Sequence, residues 1–326
     1  MKKYLENLKN ELQKQKIEKQ EIEEIIRDHE EMINEALAEG LSETEIVDKF
    51  GEPERVAKDI ADSNHVKDTQ ENKKFSMATA WKTIKVDSII SSAIISLLSE
   101  DITYETVNED EITIYYDGNE DMSLYDVSFE NGIFNFKRRQ EFGRIFFKKH
   151  NSDMQFLVKF PKKIEIHEFK HSSVSGDITV KGIIGDTIGV STTSGDISVN
   201  GIVTKTGKIS SVSGDIVMNR CIVETLSINT VSGDMDVDNL AINEELRIDS
   251  VSGDVEINNT ETKRTAFKTV SGDMQGSEFY PGEITFSSVS GDVDIRNQDQ
   301  SKIIKVLKKS SVSGTIQINN IQRNKN

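Results

Sequence analysis

Seven aspartates follow the same glycine at near-constant spacing: Asp177, Asp196, Asp215, Asp234, Asp254, Asp273 and Asp292. Carboxylates arranged this way could ligate calcium, which takes oxygen donors and tolerates irregular geometry. Left without a cation, neighbours stacked about 4.8 Å apart would repel by about 0.9 kcal/mol per pair in bulk water. Aspartate and serine beside glycine also bond backbone amides in turns, so the same column reads as a repeated corner. The metal-binding repeats of β-rolls are glycine-rich with a nine-residue period, and this chain has neither feature. The residues therefore weigh toward a corner, with a calcium ladder as the alternative.

Other reactive side chains are sparse. His167 and His171 are four apart in a strand pattern, which predicts one face and a separation of about 13 Å. The sole cysteine, Cys221, lies in an apolar run and reads as a small buried hydrophobe. No Gly-x-Ser-x-Gly elbow, phosphate loop or dinucleotide fingerprint is present. The expectation is no catalytic residue, no cofactor and no enzyme. One segment departs from an otherwise acidic chain. Phe136 to His150 holds Lys137, Arg138, Arg139, Arg144, Lys148 and Lys149 interleaved with Phe136, Phe142, Phe146 and Phe147. It reads as a hairpin with one packed aromatic face and one basic face. The alternative is a docking patch for an acidic surface, including anionic lipid.

The elements that carry these residues follow from periodicity. The motif glycines are Gly176, Gly195, Gly214, Gly233, Gly253, Gly272, Gly291 and Gly314, with gaps of 19, 19, 19, 20, 19, 19 and 23 residues. A regular period of this kind marks a solenoid. Two residues after every glycine stands an apolar residue, from Ile178 to Ile316, and in seven copies another follows two further on. That alternation is a strand. A second column, five residues before the glycine, runs through Val190, Ile209, Ile228, Ile248, Phe267 and Phe286, with His171 and Lys309 breaking it at the ends. The prediction is a mainly β chain: a parallel β-solenoid (β-helix) of about 19 residues per coil, roughly 35–40 Å long at the usual strand spacing. In the last copy Thr315 replaces the aspartate, as expected of a terminal repeat.

The first 64 residues differ in kind. Ile22, Ile25, Ile26, Met32, Ile33 and Leu37 recur at helical spacing, and Tyr4, Leu5, Leu8 and Leu12 give an earlier helix its apolar stripe. Gly40 suits a helix end, Ser42 with Glu45 forms a capping box, and Gly51 and Pro53 punctuate the next turn. This small all-α domain spans 1–64, with a linker at 65–80. Irregular entry strands are expected at 81–170, regular coils at 171–320 and a tail at 321–326. Of the chain's net charge of −16, residues 1–64 supply −8, from 10 Lys and Arg against 18 Asp and Glu. That balance opposes direct nucleic-acid binding. The first thirty residues hold no apolar signal-type run, and the most apolar stretch, Ile89 to Leu98, is half of a membrane span. With one cysteine, a cytoplasmic protein is the expectation.

Two resemblances emerge from these residues. "YLENLKNEL" with "EIIRDHEEMINEALAEGLSETEIVDKFGEPERVAKDI" resembles the HAAS family, the helix-turn-helix-associated α-helical signalling domain. That resemblance implies a protein partner for residues 1–64, either a transcriptional regulator or a membrane signalling protein. "VKFPKKIEIHEFKHSSVSGDITV" with serial "SVSGDI" resembles the bacterial putative-adhesin β-helix family, a domain of unknown function. The resulting expectation is a non-enzymatic interaction or scaffold protein in bacterial signalling or envelope response, with a helical partner-binding head on a rigid solenoid. The alternatives are a surface adhesin-like binding protein and a carbohydrate-active β-helix enzyme.

Overall fold

The computed structural model describes residues 1–14, 22, 26, 53, 79–86, 89–139 and 154–319. Two compact units divide the chain, Met1–Ser76 and Met77–Asn326. In the first, helix α1 (Lys2–Lys14) buries Tyr4, Leu8 and Leu12, a stripe set by their four-residue spacing. Gly40, Ser42, Glu45 and Gly51, with most of the other expected helices and the linker, lie outside the described residues. Among the described residues no helix is long and apolar enough to cross a membrane.

The second unit is the parallel β-solenoid. One coil shows why this sequence closes on itself. Ile216 and Met218, Cys221 and Val223, then Leu226 and Ile228 all point into the core and are buried. Within each pair the spacing is two, the strand period; between pairs it is three. Each three-residue step turns the backbone, so one coil has three short sides around a dry centre. Between the first and second pairs the turn uses a left-handed residue: Gly182, Gly201, Arg220, Asn239, Asn259 and Glu278 have φ between 46° and 70°. Glycine and asparagine fill four of these six positions because they tolerate that conformation best. The third corner is the repeated Ser-Gly-Asp motif.

The solenoid starts before the recognisable repeats. The first strands are β1 (Thr79–Lys85), β2 (Ile90–Ser96), β3 (Asp101–Val107), β4 (Glu111–Asp117), β5 (Tyr125–Glu130), β6 (Ile133–Arg138), β7 (Gln155–Pro161), β8 (Ile166–Ser172) and β9 (Ile178–Lys181). Parallel pairing joins β2 to β8 and β3 to β9, so residues 90–107 form a true coil directly beneath the first glycine motif. Strands β6 and β7 lie on its other side, parallel to β2 and β3. The chain thus builds a coil, leaves it, lays another outside it, and returns. Much of 81–170 is therefore regular solenoid rather than irregular entry. Antiparallel β5 covers β6, and antiparallel β4 covers β7 with β1 outside it. Reversing direction in this way closes the end of the parallel stack.

Candidate functional site

The corner column is a ladder of backbone bonds. Oδ1 of each aspartate accepts the N–H of the aspartate one coil later: Asp196 to Asp177 at 2.9 Å, Asp215 to Asp196 at 2.9 Å, and so on to Asp292 bonding Asp273 at 2.8 Å. Thr315 closes the series by donating to Asp292 at 2.5 Å. Thr315 thus takes the donor role of the aspartates, and its hydroxyl bonds the same Asp292 oxygen at 3.0 Å. Three residues before each glycine, a serine or threonine hydroxyl accepts the glycine N–H, as with Thr192 (3.1 Å), Ser211 (2.9 Å) and Thr269 (2.9 Å). In one copy the bond differs: the Ser250 hydroxyl donates to the Gly253 carbonyl instead. Among the described residues no cluster of three or more His, Cys, Asp or Glu could hold a metal ion.

The motif glycines serve close approach and not a left-handed backbone. Among the described glycines, positive φ belongs to Gly118, Gly132, Gly182 and Gly201. A Cβ on Gly195 would sit 2.1 Å from the carbonyl oxygen of Gly176, and one on Gly214 would sit 2.0 Å from that of Gly195. Any side chain would thus strike the backbone of the coil before it.

One corner escapes this rule. A Cβ on Gly176 would meet the Glu100 carbonyl at 1.9 Å, and Asp177 donates its N–H to Asp101 at 3.0 Å. Hence "SLLSEDI", Ser96 to Ile102, is a further copy of the motif with Glu100 in the glycine position. The signal was in the sequence, hidden by three differences from "SSVSGDI" (Leu97, Leu98 and Glu100) and by the excursion that follows. Glu100 is fully buried. Its Oε2 accepts the N–H groups of Leu98 (2.8 Å) and Ser99 (3.0 Å); its Oε1 accepts from the Tyr125 hydroxyl (2.8 Å) and from Arg138. Arg138 also pairs with Glu120 at 3.1 Å. Burial pushes the Glu100 carboxyl up, but the Leu98 N–H, Tyr125 and Arg138 outweigh it and hold it below its usual value. Asp101 is pushed up to about 6 by burial and by the Asp177 and Glu100 carboxylates, against the single Asp177 N–H bond.

The remaining candidates fall into place around this network. His171 and His167 do not share a face: the chain bends between Ile166 and Phe169, so His171 enters the core while His167 stays outside. The His171 Nδ1 lies 2.5 Å from the Tyr104 hydroxyl, and burial drives its pKa down to about 3, keeping it neutral. His167 bonds Asp186 at 2.7 Å, which also holds Lys205 at 2.6 Å. Cys221 is buried and its thiol is pushed up by burial, the environment of an inert cysteine. Of the basic segment, Arg138 is consumed inside the cap, and Arg139 makes a two-pronged pair with Asp126. Lys137 is exposed, whereas Arg144, Lys148 and Lys149 lie outside the described residues. The rest of the expected hairpin, 140–150, lies outside the described residues; β6 itself pairs with β5 and β2. Phe136 is buried, its ring 4.9 Å from that of Phe156. Near the far end, an open groove of about 510 Å³ runs past Tyr280, Pro281 and Ile303. Lys302 covers the Tyr280 ring at 4.4 Å and pairs with Glu261 at 2.5 Å.

Comparison with known proteins adds three findings. Residues 90–326 match the model of the Toastrack DUF4097 family, and residues 3–59 match that of the HAAS family. Among solved structures, the chain is similar to a "putative lipid binding protein" from Parabacteroides distasonis ATCC 8503, with 14% identity and a TM-score of 0.48, covering 73% of this chain and 96% of that one. It is also similar to a "putative adhesin" from Parabacteroides merdae ATCC 43184, with 15% identity and a TM-score of 0.37, covering 73% and 95%. No curated protein matches the chain.

Proposed function

The chain belongs to the Toastrack DUF4097 family, and on that premise we propose that it is a non-enzymatic interaction protein of bacterial signalling or envelope response, acting in the cytoplasm. The solenoid is a rigid body in this reading, and the HAAS-type residues 3–59 are the partner-binding head. One observation carries the non-enzymatic part. The side chains that repeat, and would have to do repeated chemistry, are used in holding one coil to the next: each aspartate on an N–H, and nearly every serine or threonine on a glycine N–H. The acid, tyrosine and arginine that do converge, Glu100, Tyr125 and Arg138, are taken up by one another, with Glu100 and Tyr125 buried. A catalytic constellation instead faces a cleft.

The partner of residues 1–64 is expected to be a regulator or a membrane signalling protein. Capture of partners from the native cell by the full chain, compared with capture by a chain lacking residues 1–64, tests this. A partner retained only by the full chain supports the head. An identical set from both would sink it. Fractionation tests the compartment, and recovery solely from the wall fraction would replace the cytoplasmic reading with a surface one.

A further inference from the structure

A second column runs beside the aspartates. Two residues before each motif glycine stand Val174, Val212, Val231, Val251, Val270 and Val289, each between 42% and 49% exposed. Leu98 extends the column at one end and Val312, 83% exposed, at the other; Thr193 is the single polar member. Backbone bonds along the column are made, for example Val231 N–H to Val212 O at 3.3 Å and Val270 N–H to Val251 O at 3.2 Å. The corner therefore uses the backbone here and makes no demand on the side chain, as Thr193 demonstrates. Folding alone would admit any polar residue. From Val212 to Val312 the valines instead leave one continuous apolar strip of roughly 500 Å², the size at which patches on soluble proteins mark interaction sites.

Charge narrows the occupant. None of Asp177, Asp196, Asp215, Asp234, Asp254 and Asp273 has a basic side-chain partner among the described residues. Acids elsewhere on the solenoid do, including Asp186 with Lys205, Glu244 with Lys263 and Glu283 with Lys305. A second copy laid on this ridge would set one uncompensated aspartate column beside another, and an anionic lipid or nucleic-acid surface would meet the same repulsion. A cationic partner would relieve it.

Spacing narrows the occupant further. Same-face residues recur about every 5.4 Å along a helix, close to the coil spacing of about 4.8 Å. Along a strand they recur about every 6.7 Å. Over four coils a helix drifts by about 2.4 Å and a strand by about 7.6 Å. We propose that the valine–aspartate ridge is a docking surface for a cationic amphipathic helix of a partner protein, its apolar stripe on the valines and its basic flank over the aspartates.

The probe is a leucine–lysine amphipathic peptide of about 18 residues, ~27 Å as a helix. Its binding to the full chain is read by fluorescence anisotropy, with a leucine–glutamate peptide as control. Two variants separate the contributions: Val212→Ser/Val231→Ser/Val251→Ser removes apolar surface, and Asp215→Asn/Asp234→Asn/Asp254→Asn removes charge while keeping the Oδ1 acceptor that the fold uses. Each is expected to weaken binding at least about tenfold with an unchanged circular dichroism spectrum, and the wild-type affinity should fall as salt rises. Three results would overturn the proposal: no binding by the wild type, wild-type binding by the valine variant, or a wild-type dimer in sedimentation that the valine variant dissolves. Both variants change solenoid residues only, so the loss they cause is separable from any binding through residues 1–64 and from capture through the helical head.

Discussion

Replacing Gly214 and Gly201 by alanine, one at a time, separates the two reasons a solenoid corner needs glycine. An alanine Cβ at 214 would lie 2.0 Å from the Gly195 carbonyl oxygen and 2.5 Å from its carbon. Reaching an ordinary contact of about 3.4 Å requires the two coils to part by about 1.4 Å locally. The flanking bonds Ser213 N–H to Thr193 O (2.9 Å), Asp215 N–H to Asp196 Oδ1 (2.9 Å) and Ile197 N–H to Asp215 O (2.8 Å) would then all be stretched beyond bonding. At about 1 kcal/mol each, with packing lost beside them, Gly214→Ala should cost about 3–5 kcal/mol. Gly201 has a φ of 66° but nothing within 4 Å of its would-be Cβ. Gly201→Ala should therefore cost only the left-handed penalty of about 1–2 kcal/mol. Gly201→Asn should cost less still, because Asn239 and Asn259 occupy the same corner. Urea unfolding followed by circular dichroism gives the global difference. Because a stack of repeats can lose all-or-none behaviour, hydrogen exchange at the Ser213 and Ile197 amides supplies the local one. Equal costs at the two sites, or a Gly214→Ala variant within 1 kcal/mol of wild type, would refute the close-approach argument.

Two further outcomes follow from the buried network. Asp101 has a folded pKa raised to about 6 against 3.8 unfolded, so the folded state binds more protons between those values and loses stability as pH rises through them. Asp101→Asn should raise stability at pH 7 by about 1–2 kcal/mol, discounted for partial solvent access, and should remove that part of the pH dependence. Loss of stability at pH 7 would contradict this. Arg138→Met strands the Glu100 carboxylate without its counter-ion and should cost about 3–5 kcal/mol, most of it recovered by adding Glu100→Gln. Thermal unfolding of the single and double variants measures it, and a double variant no better than the single would show that the pair is not the source.

What could be read in advance depended on whether a constraint repeats. Asp177 to Asp292 and the apolar columns recur every coil because each coil meets an identical neighbour, so the stacking demand is written many times at one period. The left-handed column escaped notice because glycine, arginine, asparagine and glutamate share no side-chain property there; only their φ values agree. "SLLSEDI" was missed for a related reason. Glu100 occupies the glycine position with its side chain turned into a pocket supplied by Tyr125 and Arg138, residues from the excursion rather than from the repeat.

The sequence by itself determined the strand period, the coil length and the helical start, since these are local patterns multiplied by stacking. The tertiary structure alone decided the order of the first coils, the burial of Arg138 and His171, and the true reason for each motif glycine. Those depend on which backbone comes to lie beside which. Residues 90–107 touch β8 and β9 across an excursion of 58 residues, 108–165. No spacing within either segment encodes that meeting; the closed shape of the coil and the core it completes enforce it.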